Sequence, residues 1–456
     1  MKVSISLIFL SLFTKSSVSS AFGISNSNLS KKDLQSEISK YGYTYCKANT
    51  PNSEKYSPME DSELQFVQVL MRHGGRAPIY INESDKSLWN VCDKQGYESI
   101  ARPVYIVDNS NSTLNFDYVV SNTSACLPGE LTKMGAKTSM DFGTDIRKIY
   151  INKLKFLNND IKDQSQLRVR TTFIDRTMET ARYFLSGLYP INESNKNVKI
   201  TEFHYPYQTE VMFTNSGLCS KMNPLLDQII STPQYKSFLA KDPEATQKIN
   251  LMSDNYSPNS TDYSTSRVYQ NDILQARVCE NIKLPCNKLG QCATQSDADL
   301  QLSNVHYEVK FKRRDSVYSH DYERYAAGPL LGQLLSELNS VISTKNKCNQ
   351  KKLNSKLRMS IYSGHDDTMS NFVAGLMADD FGMLWPSYNA NAIIELWKSK
   401  SNGKYKIRII YNGQILKVLS ADGGPKSWCD FNGCDFDSYT KYINAMTPNL
   451  TSECSK

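Results

Sequence analysis

Two arginines and a histidine stand beside two glycines in the stretch R-H-G-G-R at residues 72–76. This stretch follows directly on an apolar run at residues 66–71, which is short enough to be a buried strand. Open α/β sheets bind ligands at the carboxyl ends of their strands. Glycine lets backbone N–H groups approach an anion closely, and guanidinium groups supply paired donors that match phosphate oxygens. The stretch therefore predicts an anion site in preference to a basic surface turn.

A second polar turn, S-G-H-D-D-T at residues 363–368, follows a second predicted strand at residues 356–362. His73 and His365 thus occupy the same kind of position, just beyond a strand and beside glycine. If both strand ends lie at one edge of a sheet, the two imidazoles meet. The remaining histidines are predicted to be structural or exposed: His204, His306 and His320.

These residue types suit transfer of a phosphoryl group, whose charge is spread over three oxygens during the reaction. Three arginines are expected to hold those oxygens: Arg72, Arg76 and Arg170. Neighbouring cations disfavour the imidazolium form, so His73 is expected to stay neutral and nucleophilic in mildly acidic solution. The departing alkoxide needs a proton, and Asp366 is the predicted donor. Water would then hydrolyse the phosphohistidine.

The elements that position these residues alternate between strand and helix. Helices are predicted at residues 132–150, from Asp175 onward, at 330–342 and at 369–377, and strands at 66–71, 166–172, 356–362, 392–397 and 405–411. The last two strands are joined by Asn402-Gly403, a hairpin signal. The pattern predicts an α/β fold with a central mixed, mostly parallel sheet flanked by helices.

The middle of the chain has a different texture. Residues 192–310 are polar and lack strong strand patterns, which predicts an inserted, mainly α-helical cap. Residues 21–191 and 311–456 are then predicted to form the α/β catalytic domain. Residues 81–124 show little periodicity and are predicted to be a surface loop.

The N-terminus and the cysteines indicate export. Residues 1–20 have the layout of a signal peptide. Eight N-x-S/T sequons suggest a glycoprotein: Asn28, Asn82, Asn111, Asn122, Asn192, Asn255, Asn259 and Asn449. The eleven cysteines are typical of disulfides, and local bridges are predicted for Cys92–Cys126 and Cys429–Cys434. The odd count leaves one cysteine over. A secreted or lysosomal protein without a stable membrane insertion is expected, and a homodimer is left open.

Several motifs now point to a known family. R-H-G-x-R-x-P at residues 72–78 and S-G-H-D at residues 363–366 resemble the histidine acid phosphatases, the branch of the phosphoglycerate-mutase-like superfamily that contains prostatic and lysosomal acid phosphatases and histidine phytases. Three further stretches fit the same family: P-G-E-L-T-x-x-G at 128–135, R-T-T-F-I-D-R-T-M-x-T-A at 170–181 and A-G-P-L-L at 327–331. The resemblance extends from about residue 64 to the C-terminal cysteines.

The resemblance implies His73 as the phosphate acceptor and Asp366 as the proton donor. It implies phosphate binding by four residues: Arg72, Arg76, Arg170 and His365. It also implies an α/β core with a helical cap, activity in acid, no metal or other cofactor, and a disulfide between Cys219 and Cys454. Phosphate monoesters would be the substrates of such a phosphoric monoester hydrolase.

Two assignments have competitors. Arg176 competes with Arg170, because the serine and the aspartate that follow this arginine in the family are Thr171 and Phe173 here. The first turn of a helix suits Arg176 for a structural ion pair, which favours Arg170. Asp367 is a second carboxylate beside Asp366, and motif position favours Asp366.

Other functions are weighed against this one. A phytase or a lysophospholipid phosphatase would use the same mechanism with a different pocket rim. An inactive glycosylated binding module on this fold would give no turnover of an aryl phosphate. A mutase that acts on sugar phosphates is disfavoured, because a signal peptide would separate it from cytosolic metabolites. A metallophosphatase is disfavoured, because the sequence shows no carboxylate–histidine cluster with metal-ligand spacing. The net charge of +7 is modest and scattered, so no nucleic-acid partner is expected.

Overall fold

The computed structural model describes residues 43–80, 87, 89–94, 96–107, 113–114, 125–241, 248, 250, 267–287, 289–346, 356–420, 424 and 426–454. The predicted signal peptide lies outside these residues. So do Cys348 and six of the eight sequon asparagines: Asn28, Asn82, Asn111, Asn122, Asn255 and Asn259.

A ten-stranded mixed sheet forms the centre of the described chain. Its strands are β1 (Ser62–Arg72), β2 (Val104–Val107), β3 (Thr113–Leu114), β4 (Leu167–Thr171), β5 (Ile200–Phe203), β6 (Met359–Gly364), β7 (Asn391–Ser399), β8 (Tyr405–Tyr411), β9 (Gln414–Ile415) and β10 (Cys434–Asp435). The order is β10-β8-β7-β1-β6-β4-β5-β2-β3, with β9 paired to β8. The pairs from β1 through β6, β4 and β5 to β2 are parallel, and β7, β8, β10, β9 and β3 pair antiparallel. The predicted α/β fold is confirmed.

Helices cover both faces of the sheet. They are α1 (Lys133–Arg147), α2 (Asp175–Leu188), α3 (Met222–Ser231), α4 (Pro233–Leu239), α5 (Arg267–Glu280), α6 (Gln295–Lys310), α7 (Ser319–Ala326), α8 (Gly328–Asn346), α9 (Asp366–Gly375), α10 (Phe436–Met446) and α11 (Leu450–Cys454). Single π-helical turns extend α1 at Lys148–Lys153 and α6 at Phe311–Asp315. None of the described helices combines the length and the apolar character that a membrane span requires.

Alternation along β1 explains why this strand lies at the centre. Phe66 and Leu70 pack into one core, which α8, α9 and α10 complete, whereas Val67, Val69 and Met71 pack into the other, with α1 and α2. Side chains of a strand point alternately to opposite faces, so a nearly continuous apolar run is buried on both faces. The basic turn that follows β1 is therefore held between two helical layers.

Close backbone contact joins that turn to α1. A Cβ atom on Gly135, in the first turn of α1, would lie 2.1 Å from the carbonyl oxygen of Gly75, and one on Gly74 would lie 2.5 Å from the carbonyl oxygen of Gly135. Only glycine permits this approach. Thr132 caps α1 by accepting a hydrogen bond from the Gly135 N–H.

Three short strands depart from the predictions. β2 and β3 lie within residues 81–124, predicted to be a loop, and β5 lies within residues 192–310, expected to have no strong strands. β2 and β5 have four residues each and pair in parallel. Their sequences, VYIV and ITEF, are too short to reveal a period, so pairing with neighbouring strands decides their conformation. The boundaries of the catalytic domain and the cap stay predictions.

Five disulfides join described cysteines. The predicted bridges Cys92–Cys126, Cys429–Cys434 and Cys219–Cys454 are confirmed. The others are Cys46–Cys279 and Cys286–Cys292. The bridges Cys46–Cys279 and Cys219–Cys454 span 233 and 235 residues, so they fasten the helical region to the ends of the described chain.

Candidate active site

The two predicted histidines meet because β1 and β6 are adjacent parallel strands. Arg72 pairs with Gly364 at their ends, and the backbone N–H of His73 donates to the Gly364 carbonyl at 2.9 Å. The ring centroids of His73 and His365 are 5.6 Å apart, with the rings close to perpendicular. The sequence prediction that both strand ends share one edge of the sheet is confirmed in this respect.

A backbone hydrogen bond orients His73. Its Nδ1 lies 2.8 Å from the carbonyl oxygen of Gly74. A carbonyl oxygen only accepts, so Nδ1 carries the proton and Nε2 keeps a free lone pair. Burial lowers the pKa of the His73 imidazole well below its usual value, and the guanidiniums of Arg176, Arg72 and Arg76 lower it further. The ring therefore stays uncharged in mildly acidic solution and keeps an unprotonated Nε2.

His365 is packed on several sides. Its Nε2 lies 2.9 Å from the Thr172 hydroxyl, and its ring stacks on Phe213 with centroids 4.6 Å apart. Arg176 Nη2 is 3.4 Å from its Nδ1. Burial lowers the pKa of His365 well below its usual value, and Arg176 is the largest of the charged contributors. Both imidazoles are thus uncharged beside a cluster of cations.

Arg72 and Arg76 are buried and held in place by carboxylates. Arg72 Nη2 lies 2.8 Å from Asp366 Oδ2, and its guanidinium is 4.5 Å from the centroid of the Tyr388 ring. Arg76 Nη1 lies 2.7 Å from Asp272 Oδ1, on α5. Sequence reasoning missed Asp272, because it is 196 residues from its partner and no local motif marks it. Fixed guanidiniums of this kind are preorganised for an anion.

Arg170 lies elsewhere. Its guanidinium forms an ion pair with Glu210 at 2.6 Å and contacts Gln333 of α8. Arg168 and Arg170 are two residues apart on β4, so their side chains lie on the same face of the sheet, the face that α8 covers. Arg170 is consequently absent from the wall of the cavity that holds the two histidines.

Arg176 is the arginine that lines this cavity. It stands in the first turn of α2, the helix that follows β4, and so lies beyond the carboxyl end of a parallel strand. The strand-turn-helix pattern could have suggested this position, but it does not show which face of β4 carries Arg170. The structure thus gathers Arg72, Arg76 and Arg176 around the histidines.

The adjacent carboxylates Asp366 and Asp367 both line the cavity but have different partners. Asp366 pairs with Arg72, and its side chain is 21% exposed. Asp367 accepts from the Thr214 backbone N–H at 3.1 Å and lies 2.8 Å from Arg313 Nη2. Asp366 therefore contacts Arg72 at the end of β1, whereas Asp367 contacts the π turn that follows α6 and the loop that holds Thr214.

The cavity has a volume of about 390 Å³. Its inner end holds the histidines, Arg76, Arg176 and Asp366, and its outer walls come from α3, α5, α6 and the π turn that follows α6. Among the described residues no group of three or more His, Cys, Asp or Glu side chains is arranged to hold a metal ion.

An α/β sheet that presents two uncharged imidazoles among buried guanidiniums at one strand edge suits phosphoryl transfer to histidine. A protein-family model for the histidine phosphatase superfamily (branch 2) matches residues 63–412. The match covers more than half of the chain, and the chain belongs to this family. It is a phosphoric monoester hydrolase of the acid phosphatase type.

Curated relatives span most of the chain at low identity. The 2-phosphoxylose phosphatase 1 of Homo sapiens is 24% identical over 77% of this chain and 71% of its own length. The lysophosphatidic acid phosphatase type 6 of Mus musculus is 21% identical over 87% of this chain and 88% of its own. Counting factor 60 of Dictyostelium discoideum is 22% identical over 90% of this chain and 92% of its own.

Solved structures agree on the fold. The apo form of the Hafnia alvei phytase covers 86% of this chain and 99% of its own, with a TM-score of 0.54 and 14% identity. The phytase from Citrobacter braakii has the same coverage, a TM-score of 0.53 and 15% identity. At such identities the likeness concerns the fold alone.

Proposed function

We propose that this protein is an acid phosphatase that hydrolyses phosphate monoesters through a phosphohistidine on His73. The hydrogen bond from Nδ1 to the Gly74 carbonyl carries this proposal, because it leaves Nε2 as the nucleophile. Burial and adjacent guanidiniums lower the pKa of His73, so the imidazole stays unprotonated in the acid range. An exposed histidine would be largely protonated there.

Three guanidiniums and one imidazole would hold the transferring group: Arg72, Arg76, Arg176 and His365. We propose Arg176 in place of Arg170, since Arg176 lines the cavity and Arg170 is engaged by Glu210. The positive charge of the arginines would match the negative charge of the equatorial oxygens.

Asp366 would act as the proton donor. His73 Nε2 attacks phosphorus, the ester P–O bond breaks, and the proton of Asp366 passes to the departing alkoxide. Water then attacks the phosphohistidine, the Asp366 carboxylate takes its proton, and the N–P bond breaks to release inorganic phosphate. The cycle leaves both residues in their starting states.

Export into an oxidising compartment is a further part of the proposal. Five disulfides join described cysteines, and such bridges persist in secreted and lumenal proteins. Both described sequon asparagines, Asn192 and Asn449, are exposed and so accessible to glycosylation. We therefore propose a glycoprotein of the secretory pathway, either released or retained in an acidic vesicle.

The test is acid-phosphatase turnover by purified wild type and variants. His73→Ala should abolish hydrolysis and the alkali-stable, acid-labile phosphoenzyme formed with labelled substrate. Arg176→Ala should lower kcat/KM by about 100-fold, as removal of one charge-stabilising donor does. His320→Ala is the control, because the His320 side chain is 48% exposed. Activity that survives His73→Ala would refute His73 as the phosphate acceptor. A wild type without turnover would refute the phosphatase proposal and favour a binding module.

A further inference from the structure

The outer wall of the active-site cavity is mainly apolar. Six large hydrophobic side chains line it beyond the phosphate-binding residues: Ile79, Phe213, Leu226, Val268, Val309 and Trp385. They come from α3, α5, α6 and three loops, so they face the cavity from several directions. A leaving group that occupies this space would lose contact with water and touch carbon atoms.

The cations of this outer wall are already neutralised. Along the described wall the two outer cations are Lys312 and Arg313. Lys312 Nζ lies 2.5 Å from Glu308 Oε1. Arg313 lies 3.1 Å from Glu323 and 2.8 Å from Asp367. Within the wall these two cations are thus paired with Glu308 and Asp367, and a second phosphate on the substrate would meet no excess of positive charge here.

From these two features we infer that the substrate class is a phosphate monoester of an apolar alcohol that carries a single phosphate. The inference rests on the proposed function and assigns the leaving-group side of the same cavity. An inositol polyphosphate would place additional dianions against Glu308 and Asp367, whereas an alkyl or aryl chain would contact Leu226, Val268 and Val309. The arginines beside His73 serve only the phosphate that is transferred.

Three substrates separate the polarity of the leaving group from the number of phosphates: n-hexyl phosphate, glycerol 2-phosphate and myo-inositol hexakisphosphate. The first two have alkyl leaving groups of comparable reactivity and differ mainly in polarity. For the wild type, kcat/KM should be about tenfold or more higher for hexyl phosphate than for glycerol phosphate, because small differences in apolar contact discriminate by that amount. Inositol hexakisphosphate should be the poorest of the three.

Leu226→Lys probes the wall directly. It should lower the hexyl-to-glycerol ratio of kcat/KM about fivefold by removing apolar contact. Leu239→Lys is the matched control, because Leu239 is a 41% exposed leucine on α4 that does not line the cavity. Its ratio should equal that of the wild type.

Failure of the inference about the leaving group can be distinguished from failure of the phosphatase proposal. A wild type that hydrolyses none of the three esters in acid would refute the phosphatase proposal itself. Turnover with equal or reversed preference between hexyl and glycerol phosphate, or with inositol hexakisphosphate as the best substrate, would overturn only the inference about the leaving group. A Leu226→Lys variant that retains the wild-type ratio would also overturn it.

Discussion

Replacing Asp366 by asparagine removes the proposed proton donor while it preserves the size of the side chain. In the structure Asp366 Oδ2 lies 2.8 Å from Arg72 Nη2, at the inner end of the cavity that holds His73. Asparagine can still accept a hydrogen bond from Arg72 through its carbonyl oxygen. The change therefore tests protonation of the leaving group more than the architecture of the site.

The expected loss of kcat/KM in Asp366→Asn depends on the leaving group. Positioned general acids contribute about 100- to 10,000-fold, or about 3–5 kcal/mol of barrier. An alkoxide needs this proton, so alkyl phosphates should show the full loss in kcat/KM. A nitrophenolate leaves readily without protonation, so nitrophenyl phosphate should lose about tenfold or less. Arg72 keeps contacts with the Pro386 carbonyl and the Tyr45 hydroxyl, so we expect a stability cost of about 1 kcal/mol.

The assay is steady-state hydrolysis of a series of phosphate esters, with leaving-group pKa as the variable. Asp367→Asn is the matched control, because Asp367 lines the same cavity but pairs with Arg313 and the Thr214 backbone. It should slow all esters by a similar, small factor. Uniform slowing by Asp366→Asn, or a steeper leaving-group dependence for Asp367→Asn, would refute the assignment of the proton donor.

Two further predictions concern stability. Burial raises the pKa of Glu202 well above its usual value, so the folded state keeps a proton that the unfolded chain loses above about pH 4.5, and this stabilisation is complete below that pH and declines above it. The free energy of unfolding in urea should therefore be about 1–3 kcal/mol higher for Glu202→Gln than for the wild type at pH 7.5, and equal to it near pH 4. Glu193→Gln is the control and should have no effect, because the Glu193 side chain is 91% exposed. A difference between Glu202→Gln and the wild type that does not change with pH would contradict this reasoning. The disulfide Cys219–Cys454 spans 235 residues, so the double alanine variant should lose about 2–5 kcal/mol, and an unchanged Tm by calorimetry would show that the bridge adds nothing.

Much of the fold and the site can be predicted from local sequence. The apolar run of β1 and the alternation in β6 identify two buried strands, and the polar turns after them carry His73, His365 and Asp366. Because parallel strands end at a common edge, strand order alone suffices to bring these side chains together. The disulfides Cys92–Cys126 and Cys429–Cys434 could also be predicted, because each joins two cysteines that follow one another as consecutive cysteines of the chain.

Other features depended on contacts between distant segments. Arg176 lines the cavity and Arg170 does not, because α8 covers the face of β4 that carries Arg170. No short motif shows which face of a strand a distant helix covers. The ion pair of Arg76 with Asp272 joins residues far apart in sequence. The short strands β2 and β5 form because neighbouring strands supply their hydrogen bonds.

The sequence by itself indicated the chemistry, because the proposed nucleophile, the proposed acid and two of the arginines lie in two short motifs at strand ends. Only the tertiary structure decided which third arginine lies in the cavity and how charged the wall around the leaving group is. Those properties depend on which side chains face each other across the cavity, and packing, rather than spacing along the chain, sets that arrangement.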